Sequence, residues 1–404
     1  MPDALKPRDA KDVEDAVVWA LAEGKTLEIA GHGSKRALGR PSQSDLTLDL
    51  SGLSGVTLYE PEELVLSARA GTPIAEIERL VAESGQELAF EPADYGPLLG
   101  TAAGGGSIGG VLATNLSGPR RLKAGAARDH FLGVTAVSGR GETFKSGGRV
   151  VKNVTGYDLC KLMAGSYGTL GAMTDVTIKT LPRAETEATL LVGGLDGARA
   201  AAAMAQAMGS SFDVSGAAYL PTKIAGSVAG LDAGQSATVF RLEGVSPSVS
   251  HRSAALAAQL KAFGAAQTLP AALSRDVWRA IRDVTPFADG APAPVWRIST
   301  APMQGAALAA SIAEAAGGTW FLDWAGGLIW LSLPPSDDAG ATRLRPMVAR
   351  AGGHATLIRA QPAIRAAVAV FQPQDEGVAA LSRRVKEGFD PKGILNPGRM
   401  WAGV

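Results

Sequence analysis

The chain has 404 residues, 46% of them hydrophobic, with 39 Lys plus Arg against 39 Asp plus Glu and a single cysteine. A formal charge of zero leaves no global field to recruit nucleic acid or an anionic membrane. One thiol, Cys160, excludes an internal disulfide, a four-thiolate zinc site and an iron–sulfur cluster held by this chain alone. The length accommodates two or three packed domains. No apolar leader follows the N-terminal Met-Pro-Asp-Ala-Leu-Lys-Pro, and no run of about 20 strongly apolar residues is present. A cytoplasmic protein with one buried cysteine is the expectation.

Residues 8–24 read as a helix, with an Asp near the start, apolar residues at helical spacing and Gly24 at the stop. A strand over 26–30 runs into the turn Gly31-His32-Gly33-Ser34-Lys35, and further strands are expected over 47–50, 55–59 and 64–68. The next helix takes Thr72 as N-cap, Pro73 in its first turn and Gly85 as stop. Strands follow over 131–138, 142–145 and 172–180, and this first unit closes near residue 182. From about 186 to 355, alanine-rich helices (197–208, 251–264, 304–316) alternate with strands (188–192, 237–242, 295–299, 328–333). The alternation predicts an α+β domain whose antiparallel sheet is covered on one side. Five of the seven tryptophans fall between 278 and 330 and are expected in a hydrophobic core and interface. The turn-rich tail 389–399 reads as an ordered loop.

Glycine is concentrated in two places. Residues 100–118 hold seven glycines in nineteen positions, and a second group spans 152–159 and 165–171. Glycine costs backbone entropy, so a compact domain gathers it where φ is positive or a ligand approaches the backbone closely. Bare N–H groups beside small hydroxyl residues suit phosphate oxygens and a flat ring. Gly104–Gly109 satisfies G-x-G-x-x-G literally, but no apolar strand precedes it and no acidic residue ends a following strand, which removes a nicotinamide Rossmann site. Gly31–Lys35 reads as an anion-binding turn or as an ordinary β-turn, and its place upstream of two glycine groups favours phosphate. The four histidines (32, 130, 251, 354) are scattered, so no metal is expected. The basic runs Arg120-Arg121-Leu-Lys123 and Arg383-Arg384 read as solvated faces.

These motifs occur in an order that resembles the vanillyl-alcohol-oxidase family, whose FAD domain is of the p-cresol-methylhydroxylase type. Gly31–Lys35 is similar to its first pyrophosphate loop, and Ser107-Ile108-Gly109-Gly110 with Ala113-Thr114-Asn115 to its central loop. Arg128-Asp129, Leu132-Gly133 and Gly141-Glu142 match its "RD-x-x-LG … GE" stretch. Gly165-Ser166-x-Gly168-Thr169-Leu-Gly171, with Thr174, Ile178 and Lys179, matches its closing strand beside the adenine half. The tail through Asn396 and Arg399 is similar to the segment that returns to the flavin. A closer resemblance is to the E-subunit family of bacterial glycolate oxidases (glycolate dehydrogenases), carried by Ser117-Gly118-Pro-Arg-Arg121, Gly147–Leu159 and Trp296-Arg297-Ile-Ser299.

The resemblance implies a two-lobed FAD domain over 1–182 (sub-lobes 1–53 and 54–182), a ferredoxin-like α+β cap over 183–355, and a C-terminal segment, 356–404, returning to the flavin. It implies FAD, bound without a covalent link because no Gly-Gly pair precedes His32, and the cofactor contacts named above, with Gly118 among them. It implies a small 2-hydroxy-acid substrate whose carboxylate meets Arg297. The stretch Gly352–Arg359 carries only His354 where the D-type subunits carry a His-rich metal and base motif. Turnover is therefore expected inside a complex with a catalytic flavoprotein D subunit and an iron–sulfur F subunit, through which alone the chain meets a membrane. A self-sufficient alcohol or lactone oxidase, and a structural subunit that keeps FAD for folding, are the alternatives.

Overall fold

Asp9 accepts from the backbone N–H of Asp12 and starts a helix over Ala10–Ala22, whose Val13, Val17 and Ala20 are fully buried. That face lies on a parallel three-stranded sheet, Ala4–Leu5, Leu46–Asp49 and Leu27–Ala30, with Leu46–Asp49 in the middle. The computed structural model describes residues 3–149 and 156–404, so residues 150–155 of the signature over 147–159 lie outside the described residues. The chain forms two units: Met1–Ser117, Gly125–Arg183 and Ala369–Val404 make the first, and Gly118–Ala124 with Ala184–Val368 the second.

In the first unit a second sheet of five antiparallel strands runs in the order Val56–Glu60, Val65–Arg69, Ala172–Lys179, Phe131–Val137, Thr143–Gly147. Its core joins Leu66, Phe131, Val176 and Ile178 to Ile77 and Val81 of the helix Ile74–Glu83 and to Ile108 and Leu112 of the helix Ile108–Thr114. Cys160 is buried in the same core, and burial pushes its thiol up to about 11. The expected cap at Thr72 is displaced by one residue. Pro73 takes the N-cap, and Thr72 Oγ1 donates to the Arg69 carbonyl at 2.6 Å, closing the turn out of the preceding strand. Gly85, at φ +66, ends the helix as expected.

In the second unit eight antiparallel strands run in the order Ala266–Leu269, Thr186–Gly193, Ala237–Gly244, Gly216–Leu220, Thr319–Asp323, Leu328–Ser332, Val295–Ser299, His354–Arg359. The expected one-sided cover fails at Thr186–Gly193. Thr189 and Leu190 point to opposite faces, and both are 0% exposed. Thr189 Oγ1 meets Ser274 Oγ at 2.7 Å and Trp278 Nε1 at 2.8 Å, both from the helix Ala271–Arg282. The expected helix over 251–264 lies earlier, at Ser246–Gln259.

Two expected boundaries also move. The second unit ends at Val368 rather than 355, because His354–Arg359 pairs with Val295–Ser299 as the edge of the sheet. The short stretch Gly118–Ala124 leaves the first unit altogether. No helix among the described residues is long and apolar enough to cross a membrane.

Candidate functional site: a glycine-lined cradle

The strand Leu27–Ala30 ends at a turn that leaves the backbone N–H groups of His32, Gly33, Ser34 and Lys35 without acceptors among the described residues. These groups open into a cavity of about 780 Å³, its solvent mouth included, which lies within the first unit. The opposite wall is the helix Ile108–Thr114, started by Ser107, whose hydroxyl accepts from Gly110 N–H at 3.3 Å. A Cβ on Gly31 would stand 2.7 Å from Ser107 Oγ, and one on Gly106 would stand 3.1 Å from Lys35 Nζ. A side chain at Gly31 would crowd the Ser107 hydroxyl and one at Gly106 would press on the end of Lys35, so glycine keeps the space between the two loops open.

Lys35 supplies a cationic group of the cradle beside Arg36 and Arg399. Its ammonium donates to Ser34 Oγ at 3.4 Å, and burial pulls its pKa down to about 8, against the upward pull of Asp94. Asp94 in turn accepts from Gly104 N–H at 2.6 Å and Gly96 N–H at 3.0 Å, holding the glycine-rich stretch. Unpaired N–H groups, a lysine and a bare wall fit the pyrophosphate and the flat rings of FAD.

Of the sequence-predicted residues, Gly31 to Lys35, Ser107, Gly109, Gly110, Ala113, Thr114, Gly168, Gly171 and Asn396 line this cavity. Asn396 acts through the backbone around it. Its Oδ1 accepts from Ile29 N–H at 2.8 Å and its Nδ2 donates to the Tyr167 carbonyl at 2.7 Å, so it ties the first loop to the 165–171 loop. Its left-handed backbone, φ 43, turns the tail at that point.

The others lie off the cavity wall. Ile108 and Ile178 are fully buried in the core. Arg128 Nε donates to the Lys161 carbonyl at 2.9 Å, and Asp129 accepts from Ala126 N–H at 2.8 Å. Asn115 Oδ1 accepts from Arg128 N–H at 3.0 Å. Gly165 N–H bonds the Leu112 carbonyl at 3.1 Å, and Ser166 and Thr169 close the turn with each other. These residues shape the loops that line the cavity. Gly118 belongs to the second unit, where its carbonyl accepts from Trp324 Nε1 at 3.1 Å. Arg297, also in the second unit, lies over the Trp324 ring. His32 Nε2 and the Gly71 carbonyl are 2.9 Å apart, a hydrogen bond that occupies this ring nitrogen.

Sequence reading missed Glu28, Arg36 and Tyr167 in the lining. Glu28 pairs with Arg36 at 3.3 Å and with Arg399 at 3.8 Å, which joins the tail to the floor of the cavity. The signal for Glu28 was a charged residue inside an otherwise apolar strand.

Gly109 faces Ala70 as well as the cavity. A Cβ there would sit 2.8 Å from the Ala70 carbonyl oxygen and 2.9 Å from its Cβ. Gly109→Val is therefore expected to push the helix Ile108–Thr114 off the sheet, to cost about 1–3 kcal/mol and to lower flavin content. A thermal melt of the flavin-free variant checks this, because a side chain that disturbed only the cofactor would leave that melt at the wild-type temperature.

A family model described as "FAD binding domain" matches residues 4–147, and one described as "FAD linked oxidases, C-terminal domain" matches 369–400. The chain is 32% identical over 398 residues to glycolate oxidase subunit GlcE of Escherichia coli K12, covering 96% of each chain. It is 30% identical over 193 residues to glycolate oxidase subunit GlcD of Bacillus subtilis, covering 47% of this chain and 39% of that one. In fold it is similar to 4-ethylphenol oxidase from Gulosibacter chungangensis, with TM-score 0.74 and 16% identity over 99% of this chain and 89% of that one. p-Cresol methylhydroxylase gives TM-score 0.73 at 14% identity, over 99% and 88%. The fold is thus the p-cresol-methylhydroxylase-type FAD-binding domain with its α+β cap, as the motif order implied. With a glycine cradle suited to FAD and a full-length relative at that identity, the chain belongs to the GlcE family of FAD-binding glycolate oxidase subunits.

Proposed function

We propose that this chain is the FAD-binding E-type subunit of a glycolate dehydrogenase, taking part in the oxidation of glycolate to glyoxylate beside a D-type flavoprotein and an iron–sulfur F-type subunit. The full-length likeness to GlcE carries this reading, and the cradle gives it chemistry. FAD, held without a covalent bond, supplies a two-electron acceptor for a hydride from the carbinol carbon while a base takes the hydroxyl proton. The residues of this chain do the holding. The Gly31–Lys35 turn and Lys35 grip the pyrophosphate, the bare glycine wall admits the rings, and Asn396 fixes the distance between the loops. Arg297 takes the substrate carboxylate.

His354 starts the strand His354–Arg359 and has Arg297 and Arg121 as its charged neighbours rather than a carboxylate. Burial first, and then the charges of Arg297 and Arg121, disfavour a protonated imidazole, which supports a subunit that works inside a complex. Electrons on a bound flavin would have to pass to a partner subunit or another external acceptor, since the lone thiol cannot hold a cluster.

The visible spectrum tests the reading. The isolated chain is expected to show flavin absorbance that glycolate bleaches only once D- and F-type subunits are added. Bleaching by glycolate without partners would favour a self-sufficient oxidase. Absence of flavin after reconstitution with excess FAD would overturn both.

A further inference from the structure

Among the described residues, burial holds two lysines below their ordinary pKa, and their amines differ in what they can do. Lys386 donates to Thr169, Asp390 and Leu395 at 2.6 to 2.8 Å, so its three protons are engaged. Lys35 has a single hydrogen bond among the described residues, the long one to Ser34 Oγ at 3.4 Å. Crowding by protein atoms brings its pKa to about 8, against the pull of Asp94. About a tenth of it is therefore neutral at pH 7, against less than about a thousandth of an exposed lysine. A neutral amine is a nucleophile, and this one lines a cavity with a solvent mouth.

The backbone N–H of Lys35 belongs to the turn 32–35, whose donors lack acceptors among the described residues. One residue thus carries an anion nest at its root and an amine at its tip. The tip crosses to the opposite wall, where a Cβ on Gly106 would stand 3.1 Å from Nζ and one on Gly110 4.0 Å. Both positions are glycine, so the space beside the amine is free of side chains there. An acyl phosphate suits both ends of this arrangement. Its phosphate takes the nest, and its acyl carbon, joined to that phosphate through one oxygen, comes to lie beside the amine. An acyl thioester of coenzyme A does not suit it, because a long arm separates its reactive carbon from its pyrophosphate.

We infer that Lys35 is a site of acylation in the FAD-free chain, with a small acyl phosphate such as acetyl phosphate as the donor. The Nζ lone pair forms a bond to the acyl carbon, the bond from that carbon to the bridging oxygen breaks, and phosphate leaves with the electron pair into the nest. The nitrogen gives its proton to water. The product is an uncharged amide where the cradle holds an ammonium, so the acylated chain no longer offers that charge to the pyrophosphate. FAD, once seated, fills the nest and shields the amine. The chain is thereby divided into a loaded form that resists the modification and an empty form that the modification closes to its cofactor. The site rests on the cradle of the first unit and on FAD as its cofactor, independently of the glycolate reading.

Incubation of the FAD-free full-length chain with acetyl phosphate near pH 8, followed by peptide mass spectrometry of every lysine, tests the site. Lys35 is expected to be acetylated about tenfold or more faster than the exposed Lys223 and Lys261. Its rate should saturate with acetyl phosphate, fall when inorganic phosphate is added, and fall about tenfold or more when FAD is bound first. Acetyl-coenzyme A is expected to show no preference for Lys35. The acetylated chain should bind FAD about tenfold or more weakly in a fluorescence titration. Its flavin-free melting temperature should match or exceed that of the unmodified chain, which separates a lost charge from lost folding. Equal rates at Lys35 and Lys223 would overturn the site. A Lys35 rate indifferent to phosphate or to bound FAD would overturn the part given to the nest, and preferential labelling by acetyl-coenzyme A would overturn the choice of donor.

Discussion

Asp390→Ala is expected to cost the first unit about 3–5 kcal/mol, because it leaves a buried ammonium without its counter-charge. Lys386 and Asp390 sit one helical turn apart with side chains 5% and 0% exposed, 2.6 Å from each other. Lys386 Nζ also donates to the Thr169 carbonyl at 2.7 Å and the Leu395 carbonyl at 2.8 Å. Asp390 accepts from the N–H groups of Ile394 at 3.0 Å and Leu395 at 2.8 Å. One ion pair thus clasps the C-terminal helix Glu376–Phe389, the tail and the 165–171 loop together. Beyond the clasp, Leu27 N–H bonds the Ile394 carbonyl at 2.7 Å, and Asn396 ties Ile29 to Tyr167. Loss of the carboxylate should therefore loosen the cradle from behind. Urea unfolding and the flavin-to-protein absorbance ratio after gel filtration check both parts. Asp390→Asn keeps the shape without the charge and should fall between wild type and Ala. A normal flavin ratio in Asp390→Ala would show that the cradle holds its form without the tail.

Lys35→Met is expected to weaken FAD binding about 10- to 100-fold, the worth of a hydrogen bond to a charged group. The flavin-free protein should not lose stability, since the substitution removes a charge that burial disfavours. The pH dependence follows from the same group. Lys35 titrates at about 8 in the folded chain against 10.5 when exposed, so between those values the unfolded chain holds more protons. The Lys35 contribution to flavin-free stability therefore rises with pH across that window. Flavin affinity runs the other way. Above about pH 8 the ammonium is lost and the pyrophosphate must supply the energy to restore it. Fluorescence titration of FAD from pH 7 to pH 10 should show weakening in the wild type and a flatter profile in Lys35→Met. An equally steep profile in the variant would assign the pH effect to another group.

The cofactor was legible because its signals are local. A bare-backbone turn after a strand, and a helix opened by Ser107 and two glycines, are written within a few adjacent residues. Helix Gly197–Met208 and strand Val295–Ser299 coincide with their expected spans for the same reason, as each carries its own apolar period. Strand Gly216–Leu220 was missed because all five of its residues are buried, so no alternation marks it. Arg128 and Asp129 were grouped with the cofactor contacts because they belong to the same ordered motif. Their side chains instead join Lys161 and Ala126, and the motif pattern records the loop they shape.

By itself the sequence determined the FAD class, the three glycine loops, the two-part α+β architecture and the family. Only the tertiary structure decided that Asn396 and the Lys386–Asp390 pair brace the cradle from 230 or so residues away in the chain. It also decided that Arg120 pairs with a nearly buried Glu243 while Arg121 and Lys123 stay exposed, and that Arg121 shares an indole with Arg297. The physical reason is range. Backbone conformation and anion-ready turns follow from neighbours in the chain, whereas the worth of a charge depends on which distant groups bury it and pair with it.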